Sequence, residues 1–160
     1  MVKLAEPDLV EKAFCYNVRE ATKELISQVK EMVYICFAHN GVGLAAPQVG
    51  IFKRFFIAFD QVEDNWRVFI NPFYKSESEK FSTIEGCLTY PGQHYKVDRF
   101  KKVSAEWQEI SKEGLVDQKQ DLEGFFAQIF QHETDHTDGI TIAMIGRKII
   151  EPIANSFEQI

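Results

Sequence analysis

The sequence has few of the features that mark secreted or membrane-spanning proteins. Cysteine is scarce: the 160 residues contain three, Cys15, Cys36 and Cys87, an odd number without disulfide-like spacing. This pattern is typical of a reducing compartment. The apolar runs are far shorter than the about 20 residues that span a bilayer, and the first residues look like neither a signal peptide nor a transit peptide. We therefore expect a cytoplasmic protein with no membrane partner.

Net positive charge is also missing. The chain has 18 lysines and arginines against 24 aspartates and glutamates, which gives a net charge of −6 and a pI near 5.3. This balance argues against a nucleic acid or an anionic membrane as the main partner. The short basic run at 99–102 is typical of a solvated strand end. Because no repeat or low-complexity linker divides the sequence, the chain is most simply one domain.

The patterning of apolar residues predicts an α+β fold. Residues 17–40 form an amphipathic helix pattern with Asn17 as its cap. A second helix is predicted over 121–138, with Asp121 as its cap. Strands are predicted at 53–59, 67–72, the start of 81–92, and 102–110. Segments without a predicted helix or strand are the small-residue loop 41–50, the turn-like 111–118 and the tail from 147, in which Pro152 would begin or break any helix.

The second helix carries the stretch "QHETDHTDG", residues 131–139. Residues i and i+4 share one helix face, so His132 and His136 can bind a single divalent metal ion. Glu133 is turned about 100° from His132, which lets it move protons at a water on the metal without binding the metal itself. This is the chemistry of the H-E-x-x-H pattern.

Two histidines are too few ligands for a tight catalytic site, which commonly has three. The acidic candidates downstream are Asp138, Glu151 and Glu158. Upstream, Cys87 lies in the irregular stretch "EGCLTYPG" and would complete a set of two nitrogens and one sulfur. Such a set suits iron(II), zinc, cobalt or nickel better than magnesium or calcium. Asp135 either steadies a metal-bound histidine or faces solvent.

Three segments, "GVGLAAPQ" (41–48), "EGCLT" (85–89) and "QHETDH" (131–136), follow one another in the chain. Together they resemble the signature motifs of the peptide deformylases, metalloenzymes that remove the N-formyl group from the initiator methionine of new chains. Thr89 stands where the family usually has serine, and the hydroxyl is kept. The resemblance covers about residues 20–147. It implies a single catalytic domain (1–160), with small antiparallel or mixed sheets around a central metal-binding helix, an N-terminal helix and a short C-terminal tail.

The resemblance also implies roles for individual residues. Cys87, His132 and His136 would bind one divalent metal ion, which is iron(II) physiologically and can be replaced by zinc, nickel or cobalt. Glu133 would be the general acid and base. The partners implied are N-formyl-methionyl nascent chains and a transient contact with the ribosome, and the protein would be a monomer.

The first and second motifs supply the substrate contacts that the resemblance implies. The amide of Gln48 and the backbone N–H of Leu88 would hold the formyl oxygen. Gly43, with Val42 beside it, would let the substrate backbone approach closely, and Gly86 would let the chain turn toward the metal.

A pocket for the methionine side chain is predicted from helix geometry. Phe125, Gln128 and Ile129 precede His132 by seven, four and three residues and therefore share its face. The resemblance implies an aliphatic residue at position 128, so Gln128, like Thr83, bears on substrate preference.

A pair formed by Glu85 and Arg99 behind the metal would support the Cys87 loop. The alternative that they are an acid and a base on the surface stays open.

Two other functions compete with deformylation. A zinc peptidase acting on unformylated peptides would leave the motifs of Cys87 and Gln48 unexplained. A purely structural metal module would have no need of Glu133.

Overall fold

The described chain is built from helices and two antiparallel sheets. The computed structural model describes residues 3–11 and 13–150. Its strands are β1 (Gly43–Ala45), β2 (Phe55–Asp60), β3 (Asn65–Ser76), β4 (Lys80–Gly86), β5 (His94–Phe100), β6 (Lys102–Ser111), β7 (Gly114–Glu123) and β8 (Arg147–Lys148). Its helices are α1 (Pro7–Glu11), α2 (Lys23–Ala38), a 3-10 helix (Ala46–Val49), α3 (Gly124–Thr137) and α4 (Ile142–Ile145). This mixture confirms the predicted α+β class.

The two sheets differ in size and share a neighbour in α3. The larger sheet has the order β1-β2-β3-β6-β7, and the smaller has the order β4-β5-β8. All of these ladders are antiparallel. Helix α3 contacts strands of the larger sheet and also β5 of the smaller one. Any side chain on the correct face of α3 can therefore meet residues from both sheets.

An aromatic cluster fixes α3 to the larger sheet. The ring of Phe130 meets the rings of Phe56 and Phe69 edge-on, with centroids 5.3 and 5.5 Å apart, and Phe56 stacks on Phe69 at 4.8 Å. All three side chains are buried, as is Ile129 beside them. Each such ring pair adds roughly 0.5–1.5 kcal/mol beyond the burial of its area. The turn of α3 that precedes His132 is thus held rigidly.

Helix α2 begins later than the sequence predicts. Thr22 is its N-cap, and the side-chain oxygen of Thr22 accepts a hydrogen bond from the N–H of Leu25 at 3.0 Å. The prediction that Asn17 caps a helix over 17–40 is wrong. The backbone N–H and C=O of the neighbouring Val18 are bound by the side chain of Asn71 at 2.8 Å each, so this segment is fixed in a non-helical conformation by β3.

Helix α3 also begins later than predicted, and Asp121 is not its cap. Asp121 lies in β7, opposite Ser104 of β6. The backbone stays extended through Glu123 (φ −140°, ψ 167°) and turns into the helix at Gly124, whose φ is +64°. The hydrogen bonds of the β6–β7 ladder therefore override the capping tendency of the aspartate.

Four strands, β1, β5, β7 and β8, lie where none is predicted. The turn-like prediction for 111–118 holds only for 112–113, because β7 begins at Gly114 and pairs with β6 residue by residue. Its polar side chains hide the alternation that marks a half-buried strand. Strand β5 occupies 94–100, for which nothing is predicted. The loop prediction for 41–50 is also too simple, since this segment contains β1 and the 3-10 helix.

Other predictions agree with the structure. The strands predicted at 53–59, 67–72 and 102–110 correspond to β2, β3 and β6, each with small shifts of the ends. The predicted strand at the start of 81–92 corresponds to β4. Pro152 and most of the predicted tail lie outside the described residues. Among the described helices, none combines the length and the apolar character required to cross a bilayer.

Candidate metal-binding active site

Three side chains that could hold a metal ion, from two distant parts of the chain, meet at one point. His132 and His136 lie one turn apart on α3, and Cys87 directly follows β4. The sulfur of Cys87 lies 3.2 Å from Nε2 of His136, which lies 3.2 Å from Nε2 of His132. All three ligand atoms fall within 4.8 Å of one another, and all three side chains are buried. The structure thus brings the predicted nitrogen, nitrogen and sulfur donors together.

The position of Cys87 follows from the end of β4. Gly86 is the last residue of this strand and pairs with His94 of β5. The chain then turns, and the N–H of Tyr90 donates to the carbonyl of Cys87 at 2.9 Å. The hydroxyl of Tyr90 is bound in turn to Thr141, beyond the end of α3, at 3.0 Å. The thiol is therefore presented to α3 from a turn tied at both ends.

A buried ion pair stands behind the metal-binding residues. The guanidinium of Arg99 donates two hydrogen bonds to the carboxylate of Glu85, each 2.9 Å long. The same carboxylate accepts a hydrogen bond from Nδ1 of His132 at 2.8 Å. Arg99 is 3% exposed, so the prediction of a solvated strand end is wrong for this residue. Because Nδ1 of His132 is held by Glu85, its Nε2 is left to face the other metal-binding atoms.

Asp135 extends this ion pair away from the metal. Its carboxylate accepts a hydrogen bond from Arg99 and a longer one, 3.4 Å, from the hydroxyl of Tyr74. It therefore acts on His132 through Arg99 and Glu85 instead of touching a histidine directly. Burial by itself would raise the pKa of Glu85, but the hydrogen bonds from His132 and Arg99 outweigh it and lower that pKa to about 2.

The charge of the sulfur favours metal binding, whereas His132 holds a proton that a bound metal would displace. Burial alone would raise the pKa of the Cys87 thiol, but the charge of His136 and hydrogen bonds from both imidazoles lower it well below its usual range. Burial opposes the charge on His132 as well, yet its hydrogen bonds with Cys87 and Glu85 raise its pKa to about 10. The sulfur is thus held as a thiolate, which is the form that binds metals.

Glu133 is the one carboxylate of this site that has no partner. Its side chain is completely buried, and neither of its oxygens forms a hydrogen bond with any described residue. Burial raises the pKa of Glu133 to about 8, and the positive charge of His132 offsets only part of this effect. Gly43 of β1 lies against this carboxylate, because a Cβ added at Gly43 would be 2.5 Å from its Oε1.

Gln48 reaches the site from the 3-10 helix. Its side-chain oxygen accepts a hydrogen bond from the N–H of Ala45 at 2.8 Å, which fixes the orientation of the amide. Its nitrogen donates to the hydroxyl of Thr89 at 3.1 Å and lies 3.4 Å from the sulfur of Cys87. The hydroxyl at position 89 thus orients the amide. Leu88, between the cysteine and the threonine, is 5% exposed.

The predicted pocket residues on α3 differ in their surroundings. Ile129 is buried in the aromatic cluster, and Val42 packs against that cluster from β1's side. Phe125 is 38% exposed and does not close a pocket by itself. Gln128 is 7% exposed and its oxygen accepts a hydrogen bond from the hydroxyl of Thr83 in β4, at 3.4 Å. Its amide is therefore turned toward the smaller sheet and away from bulk solvent.

The N-terminal segment packs against the same site, which the sequence does not predict. The N–H of Ala5 donates to the backbone carbonyl of Gln48 at 2.7 Å. The hydroxyl of Tyr90 donates to the carboxylate of Glu11, and Val10 is fully buried. The signal in the sequence for this contact is the set of apolar residues in this segment, Leu4, Ala5, Leu9 and Val10.

The residues present fit a divalent metal ion. A thiolate and two imidazoles of suitable spacing converge, and beside them two buried carboxylate oxygens lack a partner. The downstream candidate Asp138 is paired with Arg54 and does not belong to the group. Glu151 and Glu158 lie outside the described residues. The described structure therefore supports the sulfur ligand over an acidic third ligand from the end of the chain.

Fold and site place the chain among the metal-dependent hydrolases, because an unpaired carboxylate on the helix of two histidine ligands is suited to activating a water there. The particular family follows from comparison with known proteins. Residues 1–148 match the family model described as polypeptide deformylase, and the chain belongs to this family. It is a metal-dependent enzyme that removes the N-formyl group from peptides.

Relatives and solved structures agree with this assignment. The chain is 37% identical to peptide deformylase 1 of Clostridium perfringens over 126 residues, which are 79% of this chain and 84% of that protein. Its structure is similar to the crystal structure of peptide deformylase from Thermotoga maritima, with a TM-score of 0.81, 31% identity and coverage of 91% and 97% of the two chains. It is also similar to a Met-Ala-Ser-bound peptide deformylase from Acinetobacter baumannii, with a TM-score of 0.79, 28% identity and coverage of 89% and 96%.

Proposed function

We propose that Glu133 is the proton carrier of deformylation and that Cys87, His132 and His136 hold one divalent metal ion beside it. The observation that carries this proposal is the unpaired, fully buried carboxylate of Glu133 on the turn between the two histidines. Burying a polar group without a partner costs about 1–3 kcal/mol, and more for a charged one. A group that must take up and release protons accounts for this cost.

The donor set supports a transition metal as the ion. Thiolate and imidazole are softer ligands than the oxygens that magnesium and calcium prefer, and Cys87 is held as a thiolate. We infer iron(II) as the physiological ion, with zinc, nickel or cobalt able to replace it. When bound, such an ion would act as a Lewis acid toward the formyl oxygen and toward the attacking water.

In this mechanism Glu133 serves as base and then as acid. It accepts a proton from the water that attacks the formyl carbon, and it delivers that proton to the amine nitrogen as the C–N bond breaks. The water oxygen stays on the formyl carbon, so the products are formate and a free N-terminus. Burial raises the pKa of Glu133, which helps the carboxyl to hold the proton between the two steps.

The formyl oxygen would be held by Gln48 and by the backbone N–H of Leu88. The amide of Gln48 is fixed by Ala45 and Thr89, so its nitrogen cannot rotate away from the sulfur of Cys87. A donor oriented in advance toward developing negative charge is worth about 3 kcal/mol in a transition state. This supports a role for Gln48 in stabilising the oxyanion.

The methionine side chain of the substrate would lie along the face of α3 that precedes His132. We propose that this pocket and the adjoining backbone cleft are formed by Gly43, Val42, Gly86, Phe125, Gln128 and Ile129. The hydrogen bond between Gln128 and Thr83 gives the pocket one polar wall. The Met-Ala-Ser tripeptide bound by the Acinetobacter baumannii enzyme has the chemistry of a deformylated product, which supports a short methionyl peptide as occupant.

The substrates are formylated nascent peptides. We further propose that the enzyme acts in the cytoplasm, where formylated chains are made, and that it works as a monomer with transient contact to the ribosome.

The reaction and the metal site can be tested with the same preparations. Formate release from a formyl-Met peptide should require an added divalent ion and should be fastest with anaerobically loaded iron(II) or nickel. The substitution Glu133→Gln should lower kcat by about 10²–10⁴-fold and leave metal binding intact. In the cobalt(II)-loaded protein, a sulfur-to-metal charge-transfer band should be present and should disappear with Cys87→Ser.

The competing zinc peptidase makes the opposite prediction. Cleavage of unformylated peptides at rates comparable to formate release would support that reaction over deformylation. A charge-transfer band that survives Cys87→Ser would mean that this thiol is not a ligand.

A further inference from the structure

Cys36 is a buried thiol that the proposed chemistry does not use. It lies on the core-facing side of α2, its side chain is 0% exposed, and its sulfur donates a hydrogen bond to the carbonyl oxygen of Gly43 at 3.2 Å. A buried cysteine in a helix is usually a small apolar filler. Here, however, the thiol is aimed at the residue that lies against Glu133.

The carbonyl of Gly43 needs a donor from outside its sheet. In an antiparallel ladder, residues alternate between those that hydrogen-bond to the partner strand and those that do not. Val42 accepts from Phe59 at 2.8 Å, and Gly43 stands opposite Ala58 in the same register. The carbonyl of Gly43 therefore points away from β2. Since β1 is an edge strand, the thiol of Cys36 satisfies a group that the ladder leaves open.

The absence of a side chain at position 43 makes this hydrogen bond important. A Cβ at Gly43 would approach Oε1 of Glu133 to 2.5 Å and its Cδ to 3.0 Å, so only glycine fits against the carboxylate. Glycine is also the residue whose backbone rotates most freely. A rotation of this peptide would move the backbone surface against which the carboxylate of Glu133 lies.

The thiol is well suited to remain a donor at this place. Burial raises the pKa of Cys36 far above its usual range, and the charge of Glu133 raises it further. The sulfur therefore keeps its proton at any working pH.

We propose that Cys36 is a positioning residue for catalysis, which fixes the Gly43 peptide through its thiol and thereby fixes the carboxylate of Glu133. This inference rests on the proposed role of Glu133 as the proton carrier. It predicts that a hydrogen-bond donor on the side chain of residue 36 raises kcat, while metal binding is affected little.

The test compares Cys36→Ala with Cys36→Ser in the full, metal-loaded chain. Serine restores a donor that alanine lacks, and a hydrogen bond of typical strength corresponds to about a fivefold change in rate. We expect Cys36→Ala to lower kcat at least about fivefold, with the cobalt(II) spectrum unchanged, and Cys36→Ser to recover most of that loss. Ile35→Val, on the same helix and in the same cluster, serves as the control that weakens packing without removing a donor.

A second pair keeps the inference testable if these variants do not fold. Cys36→Thr and Cys36→Val have nearly the same shape and differ by one hydroxyl, so their ratio of kcat isolates the donor. Equal kcat values in each folded pair, or equal losses for Ile35→Val and Cys36→Ala, would overturn the role of Cys36. Failure of the proposed function would give a different result. In that case the Glu133→Gln variant would have the same kcat as the wild-type chain.

Discussion

The substitution Gly43→Ala should separate catalysis from stability. A Cβ at position 43 would lie 2.5 Å from Oε1, 3.0 Å from Cδ and 3.1 Å from Cγ of Glu133, and these are its three nearest neighbours. A carbon atom makes ordinary contact at about 3.5 Å, so the carboxylate has to withdraw by about 1 Å. Misplacing a reacting group by about 1 Å costs about a hundredfold in rate. We therefore expect kcat to fall about a hundredfold.

The same substitution should leave the fold and the metal site nearly unchanged. Every atom that must move belongs to the flexible side chain of Glu133, and no backbone atom is among the nearest neighbours. Gly43 also has no positive φ, so alanine adopts its backbone conformation without strain. The free energy of unfolding should change by no more than about 1 kcal/mol, and cobalt(II) should bind with the wild-type spectrum.

The assays are formate release, thermal unfolding and the cobalt(II) spectrum, with Gly114→Ala as the matched control. Gly114 has a φ of +116° and nothing within 4 Å of an added Cβ, and it lies in the β6–β7 turn. Alanine there should lower the free energy of unfolding by roughly 1–3 kcal/mol and leave kcat unchanged. This is the opposite of the effect expected for Gly43→Ala. Wild-type kcat in Gly43→Ala would show that the position of the Glu133 carboxylate does not limit the reaction.

Four further predictions follow from the charges and contacts of the site. Because the pKa of His132 is raised to about 10 while Cys87 is a thiolate, zinc binding to the metal-free Glu133→Gln protein at pH 7.5 should release protons. Calorimetry in buffers of different ionisation enthalpy measures this release, and no release would contradict this charge state. Arg99→Met should lower the free energy of unfolding in urea by about 3–5 kcal/mol, since it leaves Glu85 buried without its cation. The folded pKa of Glu85, about 2, is below its unfolded value of about 4.3. The contribution of Glu85 to stability should therefore be present above about pH 4 and be lost as the pH falls toward 2. A urea midpoint independent of pH in that range would argue against this contribution. Gln128→Leu should lower kcat/KM for a formyl-methionine-sulfoxide peptide, relative to that for a formyl-Met peptide, by about tenfold. The reason is that it removes the polar wall held by Thr83. An unchanged ratio of the two kcat/KM values would place Gln128 outside the pocket.

The parts of the site that share a helix could be predicted from the sequence alone. The spacing of His132 and His136 defines one helix face whatever the rest of the fold does, and the structure shows both on α3. The placement of Cys87 could not be derived in this way, because it depends on how the turn after β4 meets a helix more than forty residues further along the chain. Resemblance to a family supplied that contact, and the sequence pattern by itself left an acidic third ligand open.

The helix ends and the polar strands were predicted least well, for a common reason. Asn17 and Asp121 are good caps in isolation, but Asn71 and the β6–β7 ladder impose extended backbone on the segments that contain them. Long-range pairing overrides local propensity wherever the two disagree. Arg99 shows the same effect at one side chain, because Glu85 and Asp135 make its burial favourable.

His132 and Glu133 are neighbours on α3, and their side chains have opposite surroundings: one is held by a buried ion pair and the other has no partner among the described residues. His132 needs a fixed ring, and the buried charges of Glu85 and Arg99 supply it through hydrogen bonds that satisfy one another. Glu133, by contrast, has no hydrogen-bond partner among the described residues, and its carboxylate lies against Gly43. On the proposal that Glu133 carries protons in the reaction, its position is set by the surface that excludes it, and that surface must itself be fixed. By the same reasoning the thiol of Cys36, which holds the carbonyl of Gly43, contributes to catalysis without touching the substrate.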